Sequence, residues 1–534
     1  MLKLNKNFME NKNEFLSKGI KLPCYKLDEV KKNTIRKPTW IHFGGGNIFR
    51  CFHASIQQNL INKGLSNTGI IVVNTSSDET IKKIYHANDN LTLMCVTKAN
   101  GEIDKEIIGS VVESHYYSNS NSSSTKRVKN VFANQSLQMV SITITEKGYS
   151  LKKPNGQYSN IVKNDIDNGP EYAKHTISIL TALLYERYNK GAYPIALLST
   201  DNFSHNGDKL KSTILEIAKL WKTNGFVNEG FINYLQNDRI VSFPLSVIDR
   251  ITPRPSENVL NKLIELGFES MDIIQTKGHS VYAPFVNTED AHYLVVEDNF
   301  PNGRPPFEEA GVYLTNKQTV DKVEKMKVCT CLNPLHTAMA VYGCLLGYST
   351  IADEMNDPQI RELIKKVGYK EGLPVVEDPE IIDPHQFIDE VINKRLPNKN
   401  IPDTPQRIAS DTSQKLAIRY GETIKLYKDK AKNLSYIPLV IAGWIRYLMG
   451  LNDEGKKMEL SPDPMLDELQ SSISGIKFGA PESVANNLYD ILSNESIFGI
   501  DLYKVGLGSK VEEYVKELII GPGSIRATLK KYLA

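Results

Sequence analysis

The chain has 534 residues, which is more than one ordinary hydrophobic core supports, so we expect two large domains. Its 64 lysines and arginines nearly balance its 62 acidic residues, and the formal net charge is +2. This balance gives no support for a protein that binds nucleic acid or attaches to membrane surfaces through a basic patch.

The cysteines and the N-terminus indicate a cytoplasmic protein. Six cysteines are scattered through the chain, and the first residues contain no apolar signal segment, which is typical of a cytoplasmic protein with free thiols. Cys329 and Cys331 have no second pair of ligands at the spacing of a zinc finger, so we predict no metal site. The most apolar run, residues 436–449, contains Pro438 and Arg446 and is too short to span a bilayer, which favours a buried helix.

A glycine-rich turn follows the first apolar strand. After a polar lead-in over residues 1–37, Trp40–Phe43 is predicted as a strand, and a helical pattern begins soon after it. Gly44 permits a tight turn, and Gly46 lets backbone amides approach a pyrophosphate at the helix N-terminus. Phe49 stands where a third glycine is usual, so the dinucleotide fingerprint is incomplete. The predicted cofactor-binding residues of this turn are Gly44, Gly46, Asn47, Ile48 and Phe49.

The next strand carries the predicted ribose contact. Ile70–Asn74 is a continuous apolar run of the kind that is buried on both faces of a parallel sheet. Its last residue, Asn74, occupies the position that contacts the adenosine ribose in dinucleotide-binding sheets. An acidic residue there favours NAD, and a nearby arginine favours NADP, but neither is present. We predict NAD as the cofactor and leave NADP open.

Three further predicted strands, 140–145, 195–199 and 240–243, each lead into polar residues. Asn202 follows the second strand, and Asp249 follows the third after a short connection. Because ligands gather at the carboxyl ends of strands in open α/β sheets, these clusters predict a binding site. The alternative is that they form only local turns, caps and ion pairs.

The pattern of apolar residues changes at about residue 290, where helical periodicity begins to dominate. We therefore predict an α/β dinucleotide-binding domain over residues 1–290 and a mainly helical substrate domain over residues 291–534. The predicted helices of the second domain are 338–346, 360–367, 406–420, 438–449, 484–492 and 511–518.

Three polar groups precede the first of these helices. Asn333 and Pro334 are predicted as the N-cap and first residue of the helix. His336, in its first turn, should stay neutral because the helix dipole disfavours a further positive charge. Lys327, if desolvated, would suit general acid/base chemistry. The alternative interpretation makes Asn333 only a cap, His336 a core residue and Lys327 a solvated surface charge.

Taken in order, the motifs resemble those of the mannitol dehydrogenase family, the polyol-specific long-chain dehydrogenases that include fructuronate and tagaturonate reductases. The forms CLNPLH at 331–336 and IPDTPQR at 401–407 are similar to the uronate-reductase branch of that family. The matching motifs are HFGGGNIFR at 42–50, TITEKGY at 143–149, DN at 201–202, DRITP at 249–253, FPNGRPP at 300–306 and ExxK with NxxH between 324 and 336.

The resemblance implies a Rossmann-type N-terminal domain, a helical C-terminal domain and a zinc-independent, NAD(P)-dependent oxidoreductase. It assigns general acid/base catalysis to Lys327, contact with the carbonyl oxygen to Asn202 and Asn333, and orientation of substrate hydroxyls to His336. It also assigns Glu324 to proton passage and Asp249, Arg407 and Lys415 to the substrate pocket. Together with Arg419, the last two are spaced to share one helical face, and we expect Arg407 and Lys415 to bind a carboxylate.

The implied reaction interconverts a hexuronate ketone and its aldonate alcohol, with D-fructuronate and D-mannonate as the preferred pair. The alternatives are a tagaturonate reductase, a mannitol or arabinitol 2-dehydrogenase, and a cofactor-binding sensor without turnover. The expected partner is a small sugar acid or polyol, with no nucleic acid or membrane, for a monomer or weak homo-oligomer.

One departure from the family bears on the catalytic lysine. Five residues separate Lys327 from Asn333, whereas the family more often has four. We therefore expect either a bulge that returns Lys327 to the side of Asn333, or a lysine too distant for the chemistry.

Overall fold

A computed structural model describes residues 2–98, 101–118, 122–153, 155–278, 280–290, 292–399, 403–485 and 487–534. Ile401 and Pro402, which belong to one of the uronate-reductase motifs, lie outside these ranges. The chain divides into two compact units, Met1–Val320 and Asp321–Ala534, which we call unit 1 and unit 2. None of the helices in the described ranges is long and apolar enough to cross a bilayer.

Unit 1 contains the strands of the described residues. In chain order they are β1 (Ile20–Lys21), β2 (Trp40–Phe43), β3 (Ile70–Asn74), β4 (Thr92–Thr97), β5 (Ile103–Ile108), β6 (Val111–Tyr116), β7 (Met139–Ile142), β8 (Ile195–Ser199), β9 (Val241–Ser242), β10 (Ser246–Asp249), β11 (Ile274–Gln275), β12 (Val281–Tyr282), β13 (Phe285–Glu289), β14 (Tyr293–Glu297) and β15 (Tyr313–Thr315).

The helices, also in chain order, are α1 (Lys12–Ser17), α2 (Leu27–Arg36), α3 (Ala54–Asn62), α4 (Ser123–Phe132), α5 (Asn160–Asn168), α6 (Thr176–Asn189), α7 (Asn206–Thr223), α8 (Glu229–Gln236), α9 (Glu257–Glu265), α10 (Lys317–Lys325), α11 (Asn333–Leu346), α12 (Ile351–Glu354), α13 (Pro358–Lys365), α14 (Pro384–Glu390), α15 (Pro405–Ala409), α16 (Glu422–Tyr427), α17 (Tyr436–Leu448), α18 (Leu466–Ser472), α19 (Tyr489–Leu492), α20 (Glu495–Phe498), α21 (Gly508–Leu518) and α22 (Ser524–Leu533).

The main sheet of unit 1 is parallel, with the strand order β6-β3-β2-β7-β8-β9. This is the order of doubly wound nucleotide-binding sheets, in which the direction of winding reverses between β2 and β7. Every residue of β2, β3, β7 and β8 is buried, as expected for strands covered by helices on both faces. The predicted Rossmann-type α/β fold is confirmed.

The two faces of the sheet follow from the alternation of side chains along each strand. Ile41 and Phe43 of β2 join a core with the apolar sides of α6 and α7, whereas Trp40 packs into a second core with α3. The polar lead-in also packs closely. Phe15 of α1 is fully buried and contacts Phe268 edge-to-face, with ring centroids 5.9 Å apart.

Strand pairing explains why unit 1 extends beyond residue 290, where helical periodicity begins to dominate the sequence. β14 pairs with β10 on one side and with β15 on the other, so the chain as far as Thr315 is hydrogen-bonded into unit 1. Sequence periodicity does not report such pairing between strands that lie far apart in the chain.

Unit 2 is helical, as predicted. Its central helix, α17, is buried from Ile437 to Leu448, and the carboxylate of Glu371 accepts hydrogen bonds from the backbone N–H groups at its start. The predicted helix over 406–420 is wrong, because α15 ends at Ala409 and Asp411 adopts a left-handed φ of 54°. In the predicted helix 484–492, the last four residues form α19 and Val484 ends a short 3-10 helix that begins at Pro481.

The carboxyl group of Glu354, in α12, is buried. Glu354 is 0% exposed, and a Cβ placed on Gly343 of α11 would lie 2.0 Å from its Oε1. Neither carboxyl oxygen has a hydrogen-bond partner among the described residues. Burial first, and then the nearby Asp357 and Asp403, raise the pKa of Glu354 to about 9. The group is therefore neutral at pH 7.

Glu354 should make unit 2 less stable as pH rises. Its pKa is raised in the folded chain, so its contribution is fully present below about pH 4.5 and is lost as pH rises through about 9. Compared with Glu354→Gln, the wild type should lose up to about 1.4 kcal/mol of stability per pH unit inside this window. Thermal unfolding at pH 5 to 9 measures the difference. The exposed Glu468→Gln is the matched control, and a constant difference for Glu354→Gln would contradict the assignment.

Candidate active site

The glycine turn lies where the winding of the main sheet reverses. Gly44 follows β2 and donates its N–H to the carbonyl oxygen of Val73 in β3 at 3.0 Å. Its φ is 108°, and a Cβ there would lie 1.9 Å from the carbonyl oxygen of Thr143, just after β7. A Cβ on Gly46 would meet nothing within 4 Å. The fold itself thus requires glycine at position 44, whereas Gly46 has open space beside it, as close approach of a pyrophosphate requires.

Asn74 supports this turn. Its side-chain carbonyl accepts a hydrogen bond from the Gly45 N–H at 2.8 Å, and the hydroxyl of Tyr85 donates to the Gly45 carbonyl at 3.0 Å. Sequence reasoning missed this role, because the contact joins two residues that are 29 apart in the chain, one after β2 and one at the end of β3. The contact of Asn74 with a ribose stays a prediction.

The remaining predicted cofactor residues differ in exposure. Asn47 and Ile48 are half-buried, whereas Phe49 is fully buried and stacks on His42 with ring centroids 4.0 Å apart. His42 bonds the Gly44 carbonyl through Nε2 at 3.0 Å, and burial holds its pKa well below the usual range. Phe49 therefore packs against His42 beneath the turn, and its side chain has no exposed surface with which to contact a cofactor.

Two polar residues follow β8: Asp201 is buried and has a structural role, and Asn202 is exposed. The Asp201 carboxylate accepts hydrogen bonds from the backbone N–H groups of Ile144 and Thr145 at 2.9 and 2.8 Å, and from the Tyr149 hydroxyl at 2.7 Å. These bonds hold the loop after β7, where Thr145 has a φ of 64°. Asn202, the predicted site residue, directly follows Asp201 and is exposed.

Asp249 is the last residue of β10 and is 7% exposed. β10 belongs to the three-stranded sheet and not to the main sheet, so Asp249 does not extend the predicted strand 240–243. The neighbouring Arg250 donates to the Thr288 hydroxyl at 2.9 Å and to the Cys51 carbonyl at 3.1 Å.

In unit 2, Lys327 lies in a π-helical turn over Met326–Cys331, between α10 and α11. The Leu332 N–H donates to the Lys327 carbonyl at 3.2 Å. A hydrogen bond between residues five apart in the chain defines a π-helical turn. One turn of this kind holds one residue more than an α-helical turn, which accommodates the extra residue between Lys327 and Asn333. That the turn returns the lysine side chain to the side of Asn333 stays a prediction. Lys327 is only 2% exposed, which excludes a solvated surface lysine, and Glu324 is half-buried one turn earlier in α10.

The cap of α11 is one residue earlier than predicted. Leu332 is the capping residue, and Asn333 is the first residue of the helix, so the Asn333 side chain does not serve as the N-cap. The Thr337 hydroxyl donates to the Asn333 carbonyl at 3.2 Å, and the Tyr420 hydroxyl donates to the Pro334 carbonyl at 2.7 Å. The segment that bears Asn333 is therefore held by a hydrogen bond within α11, from Thr337, and by one from outside the helix, from Tyr420.

His336 is neutral, as the sequence predicted, but chiefly for another reason. Burial lowers its pKa to about 4, the carboxylate of Asp403 opposes this shift, and the guanidinium groups of Arg419, Arg395 and Arg407 add to it. Arg395 and Asp403 were not predicted as site residues. Asp403 lies in the IPDTPQR motif, which could have drawn attention to it, whereas no motif named above contains Arg395. Both approach His336 only through the folding of unit 2.

The two predicted carboxylate-binding residues have partners of their own. Arg407 makes a bidentate ion pair with Asp403, at 2.6 Å for each N–H···O contact, and its side chain is 71% exposed. Lys415 donates to the backbone carbonyls of Ser410 and Ile408. Among the described residues, no three His, Cys, Asp or Glu side chains are grouped so that they could hold a metal ion.

Comparison with known proteins identifies relatives over the whole chain. The family descriptions that match are the mannitol dehydrogenase Rossmann domain, over residues 38–309, and the mannitol dehydrogenase C-terminal domain, over residues 319–519. The chain is 50% identical to the D-mannonate oxidoreductase of Thermotoga maritima, with 99% of both proteins covered. It is 28% identical to the polyol:NADP oxidoreductase of Gluconobacter oxydans, over 86% of this chain and 88% of that protein.

A solved structure shows the same fold. The ternary complex of Pseudomonas fluorescens mannitol 2-dehydrogenase with NAD and D-mannitol is 25% identical to this chain. The similarity has a TM-score of 0.72 and covers 100% of this chain and 99% of that one.

Alanine at the two outer glycines of the turn should have different effects. Gly44→Ala should lower the thermal unfolding temperature, because its Cβ would overlap the Thr143 carbonyl in a left-handed backbone. Gly46→Ala has space in the structure, so it should unfold like the wild type yet bind NADH at least about tenfold more weakly. Differential scanning fluorimetry and NADH fluorescence titration measure these effects. Unchanged NADH affinity in Gly46→Ala would place the cofactor elsewhere.

Proposed function

The chain belongs to the mannitol dehydrogenase family, and on this basis we propose that it is an NAD-dependent oxidoreductase that interconverts D-fructuronate and D-mannonate. The observation that carries the proposal is the 50% identity over the full length to a D-mannonate oxidoreductase. The arginine cations around His336 also support an acidic substrate over a neutral polyol.

Lys327 is proposed as the general acid/base. Its ammonium protonates the oxygen of the ketone as that oxygen gains negative charge, and its neutral amine accepts the hydroxyl proton in the reverse direction. Burial in the π-helical turn fixes its position and limits access of water. When bound, the reduced nicotinamide supplies the hydride for the carbonyl carbon.

Asn202 and Asn333 are proposed to donate hydrogen bonds to the same developing charge, a role worth about 3–4 kcal/mol per donor in other enzymes. His336, which is neutral because its pKa is about 4, is proposed to hydrogen-bond substrate hydroxyls without adding charge.

Glu324, one turn before Lys327, is proposed to pass protons between the lysine and water. Asp249, Arg407 and Lys415 are proposed to line the substrate pocket.

The segment after β3 supports NAD over NADP. Asp78 and Glu79 follow Asn74, the predicted ribose contact, in the same segment, and carboxylates close to that ribose would repel a 2′-phosphate. The nearby Lys82 pairs with Asp78, and Lys83 pairs with Glu79 at 3.0 Å. Neither lysine is therefore left to neutralise the phosphate of NADP.

We also propose that the protein works in the cytoplasm as a monomer or weak homo-oligomer, without a nucleic-acid or membrane partner. The six cysteines are free thiols, which is typical of a reducing compartment. The near-neutral net charge of +2 supports the proposed absence of a polyanionic partner.

A nicotinamide absorbance assay tests the proposed substrate and cofactor. With fructuronate, kcat/KM should be at least about tenfold higher with NADH than with NADPH, because Asp78 and Glu79 disfavour the 2′-phosphate. Tagaturonate, mannitol and arabinitol, each with both cofactors, complete the panel. A higher kcat/KM for a neutral polyol than for the sugar acids would overturn the proposed substrate, and no turnover of any of them would favour a sensor.

Replacement of Lys327 should abolish turnover and leave cofactor binding intact. Lys327→Ala should lower kcat by at least about 100-fold, because the proton donor is lost. Lys325→Ala is the matched control, since Lys325 lies two residues earlier, is 58% exposed and pairs with Asp321 at 2.8 Å. The measurements are steady-state kinetics and NADH titration. Equal kcat values for Lys327→Ala and the wild type would reject the assignment.

The same proposal sets the sign of the pH dependence. Mannonate oxidation needs neutral Lys327 and should rise with pH, whereas fructuronate reduction needs the ammonium and should fall with pH. Above pH 6, His336 is already neutral and adds no further step. Rates measured in both directions from pH 6 to 10 test this, and a profile with the same slope in both directions contradicts it.

A further inference from the structure

Arg419 lies against the first turns of α11, within unit 2. One of its Nη atoms donates to the Thr337 hydroxyl at 2.5 Å, and Thr337 directly follows His336. The π-helical turn that carries Arg419, Ala417–Gly421, is fixed in place. Next to Arg419, Tyr420 donates to the Pro334 carbonyl at 2.7 Å, and a Cβ on Gly421 would lie 1.9 Å from the Phe498 carbonyl. The guanidinium is thus held by a rigid support.

No acidic side chain of the described residues forms an ion pair with Arg419. Asp403, the carboxylate that acts on His336, has both of its oxygens bonded to Arg407. Among the described residues, Arg419 hydrogen-bonds the Thr337 hydroxyl and forms no ion pair. Burial lowers its pKa to about 10, so it is still a cation at pH 7. A half-buried arginine with a neutral partner and unused N–H groups suits a planar anion.

Its position along α11 matches the geometry of the proposed substrate. Asn333 and Thr337 are one turn apart on the same face, about 6 Å along the helix axis. In an extended hexuronate, the ketone and the carboxylate lie near opposite ends of the six-carbon chain. If Asn333 contacts the ketone oxygen, a substrate that runs along α11 past His336 brings its carboxylate to Arg419.

We propose that Arg419, held by Thr337, binds the carboxylate of the substrate and selects sugar acids over neutral polyols. This inference rests on the proposed function and changes one part of the sequence-based expectation. The substrate carboxylate is then not bound by Arg407 or Lys415. Arg407 is already paired with Asp403, and Lys415 is hydrogen-bonded to backbone carbonyls. They line the pocket beside it.

The test compares Arg419→Met and Arg419→Lys with the wild type. In Arg419→Met, the KM for fructuronate and the Kd for D-mannonate from titration calorimetry should each rise on the order of 100-fold, because a buried charge pair is lost. The kcat should change by less than about tenfold, since the carboxylate is bound equally in the ground state and the transition state. Arg419→Lys keeps the charge without the planar fork and should recover part of the loss.

Arg361→Met is the matched control, because Arg361 is an exposed arginine of α13 and the charge change is the same. Its KM should equal that of the wild type. The unfolding temperature of Arg419→Met should not fall, since no ion pair is broken, and a fall without a rise in KM would mean a structural role only. If the wild type reduces fructuronate and Arg419→Met keeps its KM, this inference fails alone. If the wild type prefers neutral polyols, the proposed function fails with it.

Discussion

The hydrogen bond from the Leu332 N–H to the Lys327 carbonyl sets the geometry on which the proposed chemistry of unit 2 depends. It closes a π-helical turn that takes up one residue more than an α-helical turn, so α10 can end and α11 can begin without a disordered linker. Lys327 is buried in that turn, and Asn333 starts the helix that follows. A lysine on a flexible loop would lose most of the advantage of a fixed proton donor.

Unit 1 depends on a comparable close approach. The Thr143 carbonyl, after β7, occupies the space that any side chain at Gly44 would need, so the glycine turn is set by the packing of two neighbouring strands. Asn74 and His42 then hold the turn through its amide and carbonyl groups. Both units therefore carry most of the proposed site residues on regular elements and short turns, where side chains are placed more exactly than on long loops.

The electrostatics of unit 2 follow from the distribution of its cations. Burial and the arginine guanidinium groups keep His336 neutral, and the carboxylate that acts on it, Asp403, is paired with Arg407. A site that holds surplus positive charge and a neutral imidazole is suited to an anionic substrate whose hydroxyl groups need both donors and acceptors. It is poorly suited to a purely neutral chain, because the desolvated cation would remain uncompensated.

The sequence by itself determined the elements that rest on local pattern: β2 and β3 as continuous apolar strands, the glycine turn between a strand and a helix, and the helical character of unit 2. It could not determine contacts made by distant residues. The helix predicted over 406–420 is interrupted because the Asp411 N–H bonds the Pro462 carbonyl, a contact that outweighs local helical propensity. The approach of Arg395 and Asp403 to His336, and the pairing that extends unit 1 to Thr315, were likewise decided by tertiary structure, because hydrogen bonds and charges act through space and periodicity describes only neighbours in the chain.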